Sequence, residues 1–307
     1  MMLKILLLLF STFPTLVIAQ SDAGPYVLLL GVAQDGGYPH IGCQRSCCEM
    51  AWTHPEQKQN VVSLAVVSPG ERKWWLFEAT PDLNEQLHLF ATLTGGQYNY
   101  LPDGIFLTHA HMGHYTGLME LGREALNAQK VPVYALPKMK AFLETNGPWS
   151  QLVSLQNIAI QELSADSVFR CSDAVQVQAF RVPHRDEYSE TAGFRILTTA
   201  KKYLFIPDID KWSKYEKSIV AEIKQVDVAF LDATFYAANE LPFRNIAEVP
   251  HPFVSETMTL FESEAPGERQ KVCFIHFNHT NPLMWDPAVR AVVVAKGFSV
   301  AVQGEKW

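Results

Sequence analysis

Apolar runs alternate with glycine, proline and charged segments along the whole chain, in the pattern of an α/β domain. From Tyr26 the run YVLLLGV predicts a buried strand. Two further runs, VVSLAVV and WWLFEA, flank the turn sequence SPGE and predict a pair of strands. The segment PDLNEQLHLFATL starts with proline and carries apolar residues at helical spacing, so it predicts a helix.

The second half of the chain also alternates predicted strands and helices, but it does not repeat the sequence of the first half. The run AVQVQAFRVPH predicts a strand that ends at His184, and AGFRILT with KKYLFIPDID predicts a hairpin that delivers Asp208. KWSKYEKSIVAEIKQ and HPFVSETMTLFES predict helices, VDVAFLDATF a buried strand, and KVCFIHFNHTNP a strand that ends at His276. Predicted strands therefore end repeatedly in histidine or aspartate, and such residues can converge on one edge of a sheet.

The segment DGIFLTHAHMGHYTGLMELGREAL predicts a short strand, a loop with three histidines and a helix. Neutral imidazole is the commonest protein ligand for zinc and also suits iron. His109 and His111, two residues apart on an extended loop, point to the same side and can bind one ion. His114 is offset enough to reach a second ion, so this loop predicts a metal site.

Three of the five cysteines lie within GCQRSCCEMAW. One interpretation is a structural zinc site made of Cys43, Cys47, Cys48 and His54, because three thiolates and one imidazole complete a tetrahedron. The other is a disulfide, Cys43–Cys47 or Cys43–Cys48, as expected in an exported protein. Both interpretations stay open.

The composition and the net charge limit the possible classes of function. The 307 residues are 48% apolar and 19% charged, which indicates a globular protein, and the net charge of −7 argues against a nucleic-acid binder. The first residues, MMLKILLLLFSTFPTLVIAQ, fit a signal peptide over 1–19, cut after Ala19, with an uncleaved anchor as the alternative. We therefore expect one domain over 20–307 that is periplasmic or secreted, without stable membrane insertion after cleavage.

The stretch THAHMGHYTGL resembles the histidine motif of the metallo-β-lactamase superfamily, H-x-H-x-D-H. Within the superfamily, LLGVAQDGGYPHIGC, the cysteines after it, FEATPDLNEQL, HPFVSET and HFNHTNP resemble two families. These are pyrroloquinoline quinone biosynthesis protein B and the phosphonate-pathway cyclic phosphodiesterase. The resemblance extends over nearly the whole mature chain. It implies a four-layer αβ/βα sandwich with a metal site across the strand ends.

The resemblance also implies a ligand set drawn from the histidine loop and the later strand ends. The implied ligands are His109, His111 and His184 at a first site, His114 and His276 at a second, and Asp208 bridging both. Asp210 is an alternative to Asp208, and His279 an alternative to His276.

Further roles follow from the same resemblance. Asp208 would orient the ions and the water, and His279 or Asp232 would protonate the leaving group. For Asp232 a structural hydrogen-bonding role is equally open. His251 opens the HPFVSET helix, where it either contacts an anionic group of the substrate or caps the helix.

The chain departs from the motif at Gly113, where an aspartate is expected. Glycine supplies no carboxylate, so we expect a weakened second site with lower affinity for its ion. Either Glu78 or Asp82 could compensate, or the gap gives room to substrate.

The expected function is an exported hydrolase with one or two zinc ions, acting on a phosphodiester or other ester-type bond of a small molecule. An iron-dependent oxidation, as in the pyrroloquinoline quinone family, is the main alternative, because histidines and a carboxylate suit iron as well. A non-catalytic exported binding protein is the third, and Gly113 is the feature that supports it.

Overall fold

The structure is a computed structural model that describes residues 24–241, 245 and 248–307. The predicted signal peptide, 1–19, and the start of the mature domain at residue 20 lie outside the described residues and stay predictions. Among the described helices, none has the length and apolar character needed to cross a bilayer.

Two mixed sheets form the centre of the fold. The first has six strands in sequential order: β1 (Tyr26–Gly31), β2 (Ser63–Ser68), β3 (Lys73–Phe77), β4 (Ile105–Phe106), β5 (Val131–Ala135) and β6 (Ile158–Glu162). The second has seven, also in sequential order: β7 (Val168–Arg170), β8 (Val175–Val182), β9 (Thr191–Thr198), β10 (Lys202–Ile206), β11 (Val228–Asp232), β12 (Val272–Ile275) and β13 (Ser299–Val300).

Both sheets change from antiparallel to parallel pairing along their width. In the first sheet β1, β2 and β3 are antiparallel neighbours, and β3 to β6 are parallel. In the second, β7 to β10 are antiparallel and β10 to β13 are parallel. Consequently β1, β3 and β4 end at one edge of the first sheet, and β8, β10, β11 and β12 end at one edge of the second. Such carboxyl ends of strands are where ligand sites form in open sheets.

Helices cover the outer faces of the sheets. The helices among the described residues are α1 (Ser46–Thr53), α2 (Leu83–Leu93), α3 (Met112–Tyr115), α4 (Pro137–Thr145), α5 (Trp149–Ser154), α6 (Ile219–Ile223), α7 (Val254–Leu260), α8 (Pro266–Arg269) and α9 (Pro287–Ala295). The apolar face of α2 is buried against alternate residues of β1, with Leu87 and Phe90 packed beside Leu28 and Leu30.

Aromatic side chains hold the two sheets face to face. Phe77 of β3 stacks on Phe106 of β4, with 4.8 Å between ring centroids. From the opposite sheet Phe194 and Phe205 meet Phe77 edge-on, at 5.3 and 6.2 Å. These buried rings lie between the sheets, and the helices lie outside, which confirms the predicted four-layer αβ/βα sandwich.

The long helix predicted over KWSKYEKSIVAEIKQ is wrong. Only a 3₁₀ turn, Trp212–Lys214, and the short α6 form there. Lys214 pairs with Asp210 at 2.6 Å, and the side chain of Ser218 accepts a hydrogen bond from the amide of Ala221. Ser218 therefore caps a new helix instead of continuing an old one.

The helix predicted after the histidine loop is also much shorter than expected. It is the single turn α3, followed by the 3₁₀ helix Thr116–Leu121. The amide of Gly117 donates to the carbonyl of Ala79 at 2.9 Å, outside the helical pattern. A Cβ at Gly117 would lie 2.0 Å from the carbonyl oxygen of Thr80, so only glycine permits this close approach of the two loops.

Candidate metal centre

The polar residues of the centre follow the ends of strands from both sheets. Asp35, Glu78 and the histidine loop come after β1, β3 and β4, whereas His184, Asp208, Asp232 and His276 come after or at the ends of β8, β10, β11 and β12. Because these ends share one edge of the sandwich, residues far apart in sequence meet there.

The first group consists of His109, His111, His184 and Asp208, whose donor atoms all lie within 4.8 Å of one another. The Oδ2 atom of Asp208 is 3.1 Å from His184 Nε2, 3.3 Å from His109 Nε2 and 3.8 Å from His111 Nδ1. Three imidazole nitrogens thus surround one carboxylate oxygen. The structure brings together all four residues that the sequence suggested for this site.

The second group consists of Asp35, His114 and His276, again within 4.8 Å of one another. His114 Nε2 lies 3.3 Å from Asp35 Oδ1 and 3.9 Å from Asp208 Oδ2, so Asp208 lies between the two groups. Sequence reasoning placed His114 and His276 here but missed Asp35. The available signal was the position of Asp35 just after the buried strand β1, the same pattern that singled out Asp208.

Donor atoms in the two groups are buried without hydrogen bonds to the described residues. These atoms are Asp35 Oδ1, His109 Nε2, His114 Nε2 and His276 Nε2. Burial of an unpaired polar atom is costly, and native structures rarely tolerate a cluster of them. Nitrogen and carboxylate donors that converge in this way fit a zinc or iron ion.

Four of these histidines have a partner at the nitrogen that faces away from the group, whereas His184 Nδ1 has none among the described residues. Thr108 Oγ1 is 2.9 Å from His109 Nδ1, and Thr234 Oγ1 is 2.9 Å from His276 Nδ1. Two carboxylates complete the set: Glu78 Oε1 lies 3.4 Å from His114 Nδ1, and Glu187 Oε2 lies 3.1 Å from His111 Nε2. Such outer partners orient metal-binding imidazoles and raise their basicity.

Two residues of the centre have strained backbone. Glu78 has φ of 75° and His276 has φ of 68°, in the left-handed region that favours glycine. Each directly follows a strand, β3 and β12, so the chain turns sharply to aim the side chain into the centre. Strain of this kind concentrates at functional sites, where surrounding structure maintains it.

A third group, made of Asp208, Asp232 and His251, lies between the histidine groups and the start of α7. His251 Nδ1 is 2.9 Å from Asp232 Oδ2 and 3.2 Å from Asp208 Oδ1. Burial alone would lower the pKa of His251, but the two carboxylates raise it to about 10. Asp232 Oδ2 also accepts a hydrogen bond from the amide of Ile209 at 3.1 Å, and Oδ1 accepts one from Thr234. Asp232 thus holds His251 and the loop of Asp208 in place.

The carboxylates and imidazoles of the centre shift one another's protonation. Burial would raise the pKa of Asp208, but positive charge on His184 and His251 lowers it well below its usual range. Burial, together with repulsion from His114, lowers the pKa of His109 well below its usual value. Burial would also lower the pKa of His114, but Glu78 and Asp35 raise it well above the usual value. A carboxylate and a neutral imidazole are the forms that bind metal, so Asp208 and His109 already have the required form, whereas His114 must release a proton when an ion binds.

The carboxylates considered as substitutes lie elsewhere. Asp82 Oδ2 accepts a hydrogen bond from the amide of Val61 at 2.7 Å, so Asp82 ties two loops together. Glu78 faces the outer nitrogen of His114, not the inner one. Asp210, the alternative to Asp208, pairs with Lys214. Asp208 therefore occupies the bridging position by geometry.

The cysteine cluster forms a separate group beside α1. Cys43, Cys48 and His279 have donor atoms within 4.8 Å of one another, and Cys47 Sγ is 4.0 Å from Cys43 Sγ. All cysteines of the described residues are free thiols, so neither suggested disulfide is formed. The soft donors and their number fit a structural zinc ion.

Two predicted roles need correction here. His54 lies just beyond the end of α1, on the surface, where it pairs with Glu56 at 3.3 Å, so the structure does not bring it to the cysteines. His279 takes that place. Its ring lies 4.2 Å from that of His40 beside the cysteines, so the structure places His279 with the cysteine cluster and His276 with the second histidine group. Burial, aided by His40 and Arg45, also lowers its pKa to about 4.

The sandwich and the histidine groups together define a metallo-β-lactamase fold. The sequence profile of the "Beta-lactamase superfamily domain" matches residues 73–277. The chain belongs to the beta-lactamase superfamily.

Particular relatives extend the likeness over the whole domain. The chain is 27% identical to coenzyme PQQ synthesis protein B of Methylorubrum populi, over 91% of this chain and 98% of that protein. The crystal structure of Zn²⁺-bound PqqB from Methylobacterium extorquens has a TM-score of 0.74 at 22% identity and covers 92% of this chain and 99% of that one. A diphosphatase of the PhnP family has a TM-score of 0.67 at 21% identity, with coverage of 93% and 97%. Both structures share the fold.

Proposed function

We propose that the protein is a zinc-dependent hydrolase that cleaves a phosphodiester or other ester-type bond of a small molecule. The observation that carries this proposal is the convergence, at one edge of the sandwich, of the Asp208 carboxylate and of buried Nε2 atoms of His109, His114 and His276 that make no hydrogen bond to the described residues. A structural role alone would not favour leaving these atoms unpaired.

His109, His111 and His184 would hold one ion, His114 and His276 would hold a second, and Asp208 would contact both. Zinc in such a site lowers the pKa of a coordinated water and polarises a carbonyl or phosphoryl group. The chain's own contribution is orientation: Thr108, Glu78, Glu187 and Thr234 fix the rings, and burial excludes bulk water from the donors.

His251 supplies positive charge beside the metal positions. With a pKa of about 10 it is protonated at neutral pH, because the carboxylates of Asp232 and Asp208 lie beside it. Because the same two carboxylates balance this charge, the imidazolium orients Asp208 and Asp232 and adds no net positive charge for a substrate.

The relatives are consistent with this chemistry. The PhnP-family structure is that of a diphosphatase, and the PqqB structure contains zinc. On this basis we propose that this chain also uses zinc to hydrolyse a phosphorus–oxygen bond.

Hydrolysis of bis(p-nitrophenyl) phosphate tests the reaction, with p-nitrophenyl acetate as the ester probe. We expect the zinc-loaded protein to cleave the phosphodiester, the chelated protein to be inactive, and zinc to restore the rate. A zinc-loaded protein that cleaves neither probe, with both histidine groups occupied, would contradict the proposal.

A role in synthesis of a quinone coenzyme is the second candidate. It is supported by the match to the PQQ synthesis protein, which covers 91% of this chain and 98% of that protein. An iron-dependent oxidation would then use the same donors, since nitrogen and carboxylate ligands suit both metals. Purification after growth with both metals separates the two: iron in the histidine groups favours oxidation, and zinc favours hydrolysis. A histidine site without either metal would favour a binding protein.

We further propose that Cys43, Cys48 and His279, with Cys47 nearby, hold a structural zinc ion. Export to the periplasm or exterior is also proposed, on the apolar segment over residues 1–19.

A further inference from the structure

We propose that Asp35 supplies the carboxylate that the histidine motif lacks at Gly113, and that Gly113 is the residue that makes room for it. The second metal position would then have Asp35, His114 and His276 as its own ligands and share Asp208. This inference rests on the metal site proposed above but not on the reaction performed there.

The side chain of Asp35 is oriented with one oxygen held and the other directed into the cluster. Oδ2 accepts a hydrogen bond from Gln34 Nε2 at 2.7 Å. Oδ1 lies 3.3 Å from His114 Nε2 and is buried without a hydrogen bond to any residue in the described part of the chain. Asp35 Oδ1 and His114 Nε2 thus face each other without hydrogen-bond geometry and have no other partner among the described residues, so both can bind one ion placed beside them.

Gly113 and Asp35 exclude a second carboxylate from the same space. A Cβ at position 113 would lie 2.2 Å from Asp35 Oδ1 and 2.6 Å from Asp35 Cα. A side chain at 113 would thus overlap both the carboxylate and the main chain of Asp35. The place that the motif aspartate would occupy is filled by a carboxylate from a different part of the chain.

Main-chain hydrogen bonds position Asp35 beside His114 and His276. The amide of Gln34 donates to the carbonyl of Phe277, and the amide of Phe277 donates to the carbonyl of Val32, each at 2.8 Å. Residues 32–34 therefore pair with the residue directly after His276. This pairing fixes Asp35 beside His276 in spite of about 240 intervening residues, because main-chain pairing is insensitive to sequence separation once formed.

The charge of the site follows from this arrangement. With Asp35 the second position keeps a carboxylate of its own, so the loss expected from Gly113 is compensated. The weakened second site predicted from the sequence is thereby replaced by a complete one.

Zinc content and affinity test the proposal on the full mature protein, because both can be measured without activity. Wild type, Asp35→Asn, Asp35→Ala and Asp82→Asn are loaded with zinc and titrated calorimetrically, and the bound metal is counted. Asp82→Asn is the matched control, since Asp82 is a nearby carboxylate that bonds Val61 instead of facing the cluster.

We expect two ions in the histidine groups of wild type and of Asp82→Asn. Both Asp35 variants should keep the first ion and bind the second more than about 100-fold more weakly, beyond the loss usual for removing an outer partner of a ligand. Equal melting temperatures of the metal-free proteins would show that the fold is unchanged.

If Asp35→Ala retains the second ion at near wild-type affinity, the role proposed for Asp35 is wrong, but the proposed function is unaffected. A wild type with one ion in the histidine groups would overturn that role as well, and leave a one-ion hydrolase. A wild type that binds no ion there would overturn both this inference and the proposed function.

Discussion

The histidine groups and the cysteine cluster are two candidate metal-binding arrangements built in different ways. The histidine groups take their donors from strand ends of both sheets, so the packed core between the sheets holds them in place. The cysteine cluster takes its thiols from one loop and the start of α1, and only His279 comes from elsewhere. The first arrangement depends on the whole fold, and the second on a local segment.

One short segment connects the two arrangements. His276 faces the second metal position, whereas His279, three residues later, faces the cysteines. An ion at the cysteine cluster would thus anchor the loop that follows β12 and steady His276. The comparison predicts that damage to the histidine groups abolishes function without unfolding the protein, and that damage to the cysteine cluster does the opposite.

The largest effect is expected from Asp208→Asn. The bridging carboxylate lies within 3.9 Å of donors from both groups, so its neutralisation should weaken both ions. We expect phosphodiester hydrolysis to fall by about 10²–10³-fold, the range for losing several kcal/mol of metal-based stabilisation.

Asp210→Asn is the control for that variant, because Asp210 is two residues away and pairs with Lys214. It should hydrolyse the probe at close to the wild-type rate, and the cysteine ion should persist in both variants. Equal losses of rate in the two variants would contradict the assignment of Asp208.

A middle-sized effect, on stability, is expected from His279→Ala. At free zinc about 100 times its dissociation constant, an ion contributes about 2.7 kcal/mol to the free energy of unfolding. Its loss should lower Tm by roughly 5–10 °C, measured by calorimetry, while the rate per folded molecule changes little.

His54→Ala is the matched control, since His54 is exposed on the surface after α1. It should alter stability by less than about 0.5 kcal/mol and leave the zinc content unchanged. If His54→Ala released zinc and His279→Ala did not, the sequence-based ligand set would be right and the structural one wrong.

The smallest effect is expected from Glu78→Gln. Its Oε1 lies 3.4 Å from the outer nitrogen of His114, and glutamine keeps the shape while it removes the charge. Affinity for the second ion should fall by about 10–100-fold in a calorimetric titration, with the first ion unaffected. An unchanged second affinity would show that Glu78 has only a packing role.

Much of this arrangement could be predicted from the chain itself. Apolar runs such as the one from Tyr26 mark buried strands, because burial on both faces removes the need for alternation. Histidines two residues apart, and acids at strand ends such as Asp208, indicate donors that converge. These signals are local, so sequence reasoning can find them.

The rest depends on distances in space. Asp35 and Gly113 are complementary only because β1 and β4 end at the same edge of one sheet, and no spacing in the sequence records that. The choice of His279 over His54 depends on the path of the loop after β12. The helix after the histidine loop was predicted too long for a similar reason, because the hydrogen bond of Gly117 to Ala79 in another segment outweighs local helical preference.

The most direct test of the central claim is anomalous diffraction at the zinc edge from crystals of the zinc-loaded protein. The account predicts one peak among His109, His111 and His184, and another among Asp35, His114 and His276, with Asp208 between them. The cysteine cluster should give a third. Crystals with zinc at the cysteines and no peak in either histidine group would contradict the account.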